Sequence, residues 1–160
     1  PGPIDQRPVE RRDDVLVYTS AELTQDLEVT GPLVVVLYAA SSARDTDFTA
    51  KLVDVHRDGR AMHLAEGIIR ARHRQSFERA DLLEPGEAAA YRIQLAPTSN
   101  LFRRGHRLRL EISSSNFPRF DRNLNTGGSI ATGTQMQIAR QTVLHTQAYA
   151  SHILLPVIPA

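Results

Sequence analysis

Period-two alternation runs through the apolar stretches of this chain, and that pattern alone excludes most folds. In HRLRLEIS, Leu108, Leu110 and Ile112 point one way while Arg107, Arg109, Glu111 and Ser113 point the other, as in a strand with one buried face. AYRIQLAP repeats the device, with Tyr91, Ile93 and Leu95 inward and Arg92 and Gln94 outward. PLVVVLYAA, Pro32 to Ala40, is almost continuously apolar, as expected of a strand covered on both faces. Asp58-Gly59 sits between two further strand-like runs and predicts a hairpin, because that pair tolerates positive φ at the turn. Gly67, mid-strand, predicts a bulge. Further strands are expected at Val15 to Thr19, Leu27 to Thr30, Met136 to Leu144 and Ile153 to Ile158, with Pro32, Pro97 and Pro156 at strand edges or ends. Only SFERADLL and SAELTQDL could support a helical turn or two. About eight strands separated by turn signals predict an all-β antiparallel β-sandwich, a jelly roll.

Size and composition agree with that class. A chain of 160 residues suffices for one core without staples, and residues 15–160 are expected to form a single sandwich domain behind an N-terminal extension, residues 1–14. A formal net charge of +1 gives no electrostatic case for a nucleic-acid or membrane partner. The absence of cysteine excludes a disulfide scaffold and a thiolate zinc site. PGPIDQRPVERRDD has no signal-peptide apolar region, so a cytoplasmic location is expected.

The sequence carries no recognisable catalytic constellation. No G-x-S-x-G elbow occurs, GSIATG does not match one, and the serines 113 to 115 read as turn residues. The histidines at 56, 63, 73, 106, 145 and 152 show no ligand spacing, although His56 and His63 could face each other across the hairpin; no metal and no cofactor is predicted. Asp45 and Asp47 in RDTDF form a turn or a weak calcium site, lacking the glycine and distant Glu of an EF-hand. With no Trp and 6% aromatics, sugar-stacking platforms are scarce.

One loop stands apart. SSSNFPRFDRNLNTGG, Ser113 to Gly128, spends two aromatics, an Asp, two Arg and three Asn on irregular chain, and loops of that length are uncommon without a role. Three readings are open: Phe117 and Phe120 plug one end of the sandwich while Asp121 pairs with Arg119 or Arg122; Asn116, Phe117, Phe120, Asp121, Arg122 and Asn123 form a docking surface; or the loop binds a small ligand. Closure suits Phe117, nearer the strand end, and docking suits Phe120, Asp121 and Arg122 at the tip.

Taken in order, DTDFTAKLVDVHRDGRA, LFRRGHRLRLEISSSNFPRFDRNLNTGG and SHILLPVI resemble the C-terminal domain of the serine hydrolases that include X-Pro dipeptidyl-peptidase, cocaine esterase, α-amino acid ester hydrolase and glutaryl acylase. The resemblance runs from about Val15 to Pro159, and SSNFPRFDRNLNTGG is its most specific part. It implies a galactose-binding-like jelly roll, non-catalytic, attached to an α/β-hydrolase domain that carries the Ser-His-Asp triad and whose active-site cleft this domain would help to shape. That catalytic domain is the expected partner. In this family the C-terminal domain begins earlier than Pro1 does here, so the chain reads as truncated or excised, and an exposed sheet edge would then favour a homodimer. The alternative is a stand-alone sandwich that binds a small polar or carbohydrate ligand. A concave aromatic pocket would favour that alternative, and a broad apolar patch the hydrolase domain.

Overall fold

The alternating segments become strands because each can bury one face, and two such sheets bury each other. The computed structural model describes residues 3–159; Pro1, at which the chain was read as truncated, lies outside them. After a short helix, α1 (Arg7–Glu10), come β1 (Leu16–Thr19), β2 (Leu27–Ser41), β3 (Asp47–Val55), β4 (Ala61–Arg70), β5 (Ala89–Phe102), β6 (Arg107–Ser113), β7 (Gln141–Leu144) and β8 (His152–Leu154). One sheet has the order β1-β6-β3-β4; the other runs β5-β2-β7, with β8 also on β2. Every pairing is antiparallel. The chain changes sheets between β1 and β2, β2 and β3, β4 and β5, β5 and β6, and β6 and β7, the wrapping expected of a jelly roll. This is an all-β sandwich.

The core is the sum of the inward faces. Leu33, Val35, Leu37 and Ala39 of β2 meet Phe48, Ala50 and Leu52 of β3, with Tyr91, Ile93 and Leu95 of β5 closing one side. The alternation anticipated in AYRIQLAP is intact, since Arg92 and Gln94 are exposed between three buried neighbours. The hairpin at Asp58-Gly59 joins β3 to β4, with Gly59 at φ 85°.

Several expectations are corrected. Leu27 to Thr30 and Pro32 to Ala40 are not two strands but one of fifteen residues, β2, broken only by a register irregularity between Gly31 and Leu33. Pro32 and Pro97 sit within long strands at that irregularity rather than at strand ends, which is where a strand tolerates a missing N–H. Gly67 makes no bulge: it pairs with Ala50, and the irregularity of β3 and β4 lies at Leu52/Val53. What Gly67 provides is room, because a Cβ there would lie 2.8 Å from the Gln94 carbonyl carbon and 3.1 Å from the Leu95 Cα of β5. His63 pairs with Val53 in the ladder, so it does not face His56. SFERADLL and SAELTQDL are not helical; the helical turns are α1, which carries Pro8 in its first turn, and a 3₁₀ turn at Ala71–His73. The last two strands are shorter than expected, beginning at Gln141 and ending at Leu154.

The outer face of the β1-β6-β3-β4 sheet is not solvated where the alternation implied it. The Gln6 N–H donates to the Ala61 carbonyl at 2.7 Å, the His63 N–H to that of Ile4 at 3.1 Å, and the Ala61 N–H to Asp5 at 3.2 Å. The segment expected as an N-terminal extension thus pairs with the β4 edge and reaches over the outer face, where Gln6 Oε1 accepts from Lys51 and Glu10 pairs with Arg109; Val53, Val55 and Ala61 form a second buried cluster, and Glu111 is buried. Leu110, by contrast, is only half-buried. It lines an apolar slot of about 500 Å³ between the sheets, together with Tyr18, Leu37, Leu52, Leu108 and Val143.

Candidate functional site

Two buried carboxylates organise the end of the sandwich from which the long loop springs. Asp45 and Asp47 are essentially inaccessible. Asp45 accepts the Arg72 backbone N–H at 3.0 Å and its Nε at 2.8 Å; Asp47 accepts Arg70 Nε at 3.0 Å and Nη2 at 3.3 Å. Between them lies the Asn123 amide, whose Nδ2 reaches Asp45 Oδ2 and Asp47 Oδ1, both at 2.8 Å. A side-chain amide has two N–H donors, and both are used. Asp45 and Asp47, expected as a turn or a weak calcium site, thus tie the end of β4, the turn after it and the loop together. Their oxygens hold two guanidinium groups and an amide in charge-assisted hydrogen bonds.

Asn123 carries the constraint outward. Its Oδ1 accepts the Asn125 N–H at 2.9 Å, and Asn125 takes the left-handed conformation, φ 63°, that Asn tolerates. Asn125 and Gln137 then exchange side chain-to-backbone bonds, Nδ2 to the Gln137 carbonyl at 2.9 Å and Gln137 Nε2 back to the Asn125 carbonyl at 2.7 Å. Arg72 Nη2 donates to the Gly128 carbonyl at 2.8 Å, and Gln141 Nε2 to Thr46 at 2.7 Å. Nearer β6, Glu66 accepts Asn116 Nδ2 at 2.7 Å and pairs with Arg119. Beside it His63 is shifted toward the neutral form, chiefly by burial and against the pull of Glu66.

The loop is thus fastened from beneath while its rim stays open. Phe117 is 63% exposed and so does not plug the core, the role expected of it by closure. The Arg122 guanidinium lies 5.4 Å from the centre of its ring. Phe120 is half-buried, with Arg119 over its ring at 5.7 Å, and exposed Asp121 forms no ion pair with Arg119 or Arg122 among the described residues. Met136 and Ile138 stand on the strap that leads back to β7, 58% and 99% exposed. With Phe117, Arg122, Val9 and Leu16 they line a broad groove whose floor includes Lys51 and Glu111. Sequence reasoning missed Met136 and Ile138 because the stretch looked like a strand that would bury them.

A family model for the X-Pro dipeptidyl-peptidase C-terminal non-catalytic domain matches residues 4–154. The chain belongs to that family. Its membership accounts for the lack of a G-x-S-x-G elbow in the sequence, since the domain is by description non-catalytic. Cocaine esterase from Rhodococcus sp. (strain MB1 Bresler) is 49% identical over 159 residues, which cover 98% of this chain and 28% of that protein. An aminopeptidase from a marine sediment archaeon, Thaumarchaeota archaeon, superposes with a TM-score of 0.93 at 34% identity, covering 97% of this chain and 27% of that one. An α-amino acid ester hydrolase does so with a TM-score of 0.93 at 32% identity, covering 96% and 27%. The chain therefore spans about a quarter of the length of these relatives.

Proposed function

We propose that this domain serves a serine hydrolase for esters or amides as a non-catalytic partner, docking on its catalytic α/β-hydrolase domain through the open rim of the Ser113–Gln141 loop and helping to wall the active-site cleft. The observation that carries the reading is the pairing of a rigid base with an uncovered rim. Asn123 ties the loop to two buried carboxylates, while Phe117, Met136 and Ile138 remain open to solvent with Arg122 against Phe117. Aromatic, Met and Arg side chains are those that protein interfaces favour, and a surface already ordered loses little entropy on docking. The family membership and the names of the relatives, two hydrolases of esters and an aminopeptidase, support the class of parent.

The alternative, a stand-alone module for a sugar or small polar ligand, finds less to stand on. The slot between the sheets is lined mainly by Val35, Leu37, Leu52, Leu108, Leu110 and Ile153, which suit an aliphatic guest rather than a polar one.

The test is the double variant Phe117→Ser with Ile138→Ser. The isolated 160-residue chain is expected to melt within about a degree of the parent sequence, because exposed side chains away from the core contribute little to local folding. The full-length hydrolase carrying the same changes is expected to lose kcat/KM and thermal stability. A chain that unfolds on its own, or a full-length enzyme indifferent to both changes, would overturn the reading.

A further inference from the structure

At the other end of β3, far from Asp45 and Asp47, lies a cluster that the docking role does not use. Asp54 continues the strand face that carries Phe48, Ala50 and Leu52, and His56 follows two residues on. The ladder of β3 and β6 pairs Asp54 with Leu108 and Val55 with Arg107, so one further step brings His106 opposite His56. The two imidazoles stack, ring centres 4.4 Å apart and planes 24° from parallel. Both address the same carboxylate. His106 Nδ1 lies 2.9 Å from Asp54 Oδ1 and 3.1 Å from Oδ2, and His56 Nε2 lies 3.6 Å from Oδ2.

The charge balance of this cluster is unusual. Asp54 is 6% exposed, and among the described residues its side-chain partners are these two histidines alone; no Arg or Lys pairs with it. The nearby cations are committed elsewhere: Arg57 donates to the Arg104 carbonyl, Arg103 pairs with Asp26, and Arg107 pairs with Glu22. Every other buried Asp of the fold has a guanidinium beside it, Arg72 for Asp45 and Arg70 for Asp47. A buried carboxylate needs a compensating positive charge, and here only imidazole nitrogens are aimed at it.

We propose that Asp54, His56 and His106 form a binding site for a divalent transition metal of the zinc class. Two imidazoles and a carboxylate are the donor set of such ions, whereas calcium and magnesium take oxygen ligands. One ligand atom from each residue can be chosen so that all lie within 4.8 Å of one another. Bonds of about 2.0–2.1 Å in a tetrahedral arrangement require ligand atoms about 3.3 Å apart. From Asp54 Oδ2, the separations to His106 and His56 bracket that figure, the two histidine nitrogens lie within 4.8 Å of each other, and binding would rotate the His56 ring out of its stack on His106 so that both ring planes meet at the ion. His56, with 28% of its side chain accessible, stands at the solvent side, where water completes the fourth position. The ion would supply the countercharge that Asp54 lacks and would clamp the turn before β6 to the end of β3, binding the two strands at this end of the sandwich.

The experiment uses the 160-residue chain, stripped with a chelator and titrated with Zn²⁺ by calorimetry, with Co²⁺ as a spectroscopic substitute. One saturable equivalent is expected, with a rise in Tm and the visible absorption of four-coordinate Co²⁺. His56→Gln and His106→Gln should each weaken Zn²⁺ binding by about 100-fold or more, while His145→Gln and His152→Gln leave it intact. Should His106→Gln fail to fold by circular dichroism, His56→Gln, nearer solvent, decides alone. Absence of a saturable equivalent, or binding that survives His56→Gln unchanged, would overturn the proposal.

Discussion

Glu111 illustrates how a residue that reads as surface becomes an internal charge. It lies on the outer face of β6, opposite Lys51 in the ladder, where alternation assigns it to solvent. With Glu10 of the N-terminal segment beside it, it is 3% exposed, and among the described residues its Oε1 finds no hydrogen-bond partner. Burial, opposed by Lys51 and reinforced by Glu10, pushes its carboxyl up to about 7 from an ordinary value of 4.5. A carboxyl raised in the folded state contributes stability that is complete below the unfolded value and is lost as pH rises through the folded one. Stability from this group therefore falls between about pH 4.5 and 7. Glu111→Gln keeps the shape and removes the charge, so the variant should melt higher than the native chain at about pH 8 and nearly with it at about pH 4.5. Melts at both pH values check this, and a variant with no advantage at the higher one refutes it. Tyr91 is the apolar counterpart of the same effect: packed against Phe48 with ring centres 4.7 Å apart, its phenol is pushed up to about 12 by burial.

At the scale of elements, Gly67 marks the place where the edges of the two sheets meet. It belongs to β4, at the edge of one sheet, and the Gln94 carbonyl of β5, at the edge of the other, occupies the space a side chain would need. Because that neighbour is backbone, no rotamer change relieves the overlap. Gly67→Ala should cost on the order of 3 kcal/mol, the upper part of the range for overpacking, measurable by urea denaturation. Gly59→Ala, whose Cβ would meet nothing, should be limited to the strain of its positive φ; equal costs would refute the close approach. The sequence signals divide along the same line. The alternation of β5 and the Asp58-Gly59 hairpin were legible because periodicity and a turn dipeptide act over a few residues. Gly67 was visible as an anomaly, but its cause sits twenty-seven residues away in β5 and has no local signature. Pro32 and Pro97 were misassigned for the same reason, since a mid-strand irregularity lets both prolines lie inside paired strands.

Across the whole molecule, the candidate site was legible as a loop too rich in committed side chains to be a plain connection, but its parts changed roles. Asn123, read as one docking residue among several, is the fastener; Phe117, read as a plug, is rim; Asp45 and Asp47, read as a turn, are the anchor points. Such an assignment needs β3, the end of β4 and the loop brought together, which spacing cannot reveal. The arrangement also separates two roles that a mutation can test. If the loop is ordered from beneath, Asn123→Ala strips both carboxylates of a donor in a buried setting, at a cost of about 2 kcal/mol or more, and frees residues 116–140 to proteolysis. Asn123→Asp is nearly isosteric but sets a third carboxylate against two buried ones, so it should destabilise the isolated chain further than Ala does, through like-charge repulsion. Phe117→Ser should leave that chain alone, because its ring is outside the network. The measurement is Tm together with the rate of limited proteolysis for all three variants of the 160-residue chain. An Asn123→Asp chain as stable as the native one would mean that the amide bridge does not hold the loop, and the preorganised docking surface would lose its foundation.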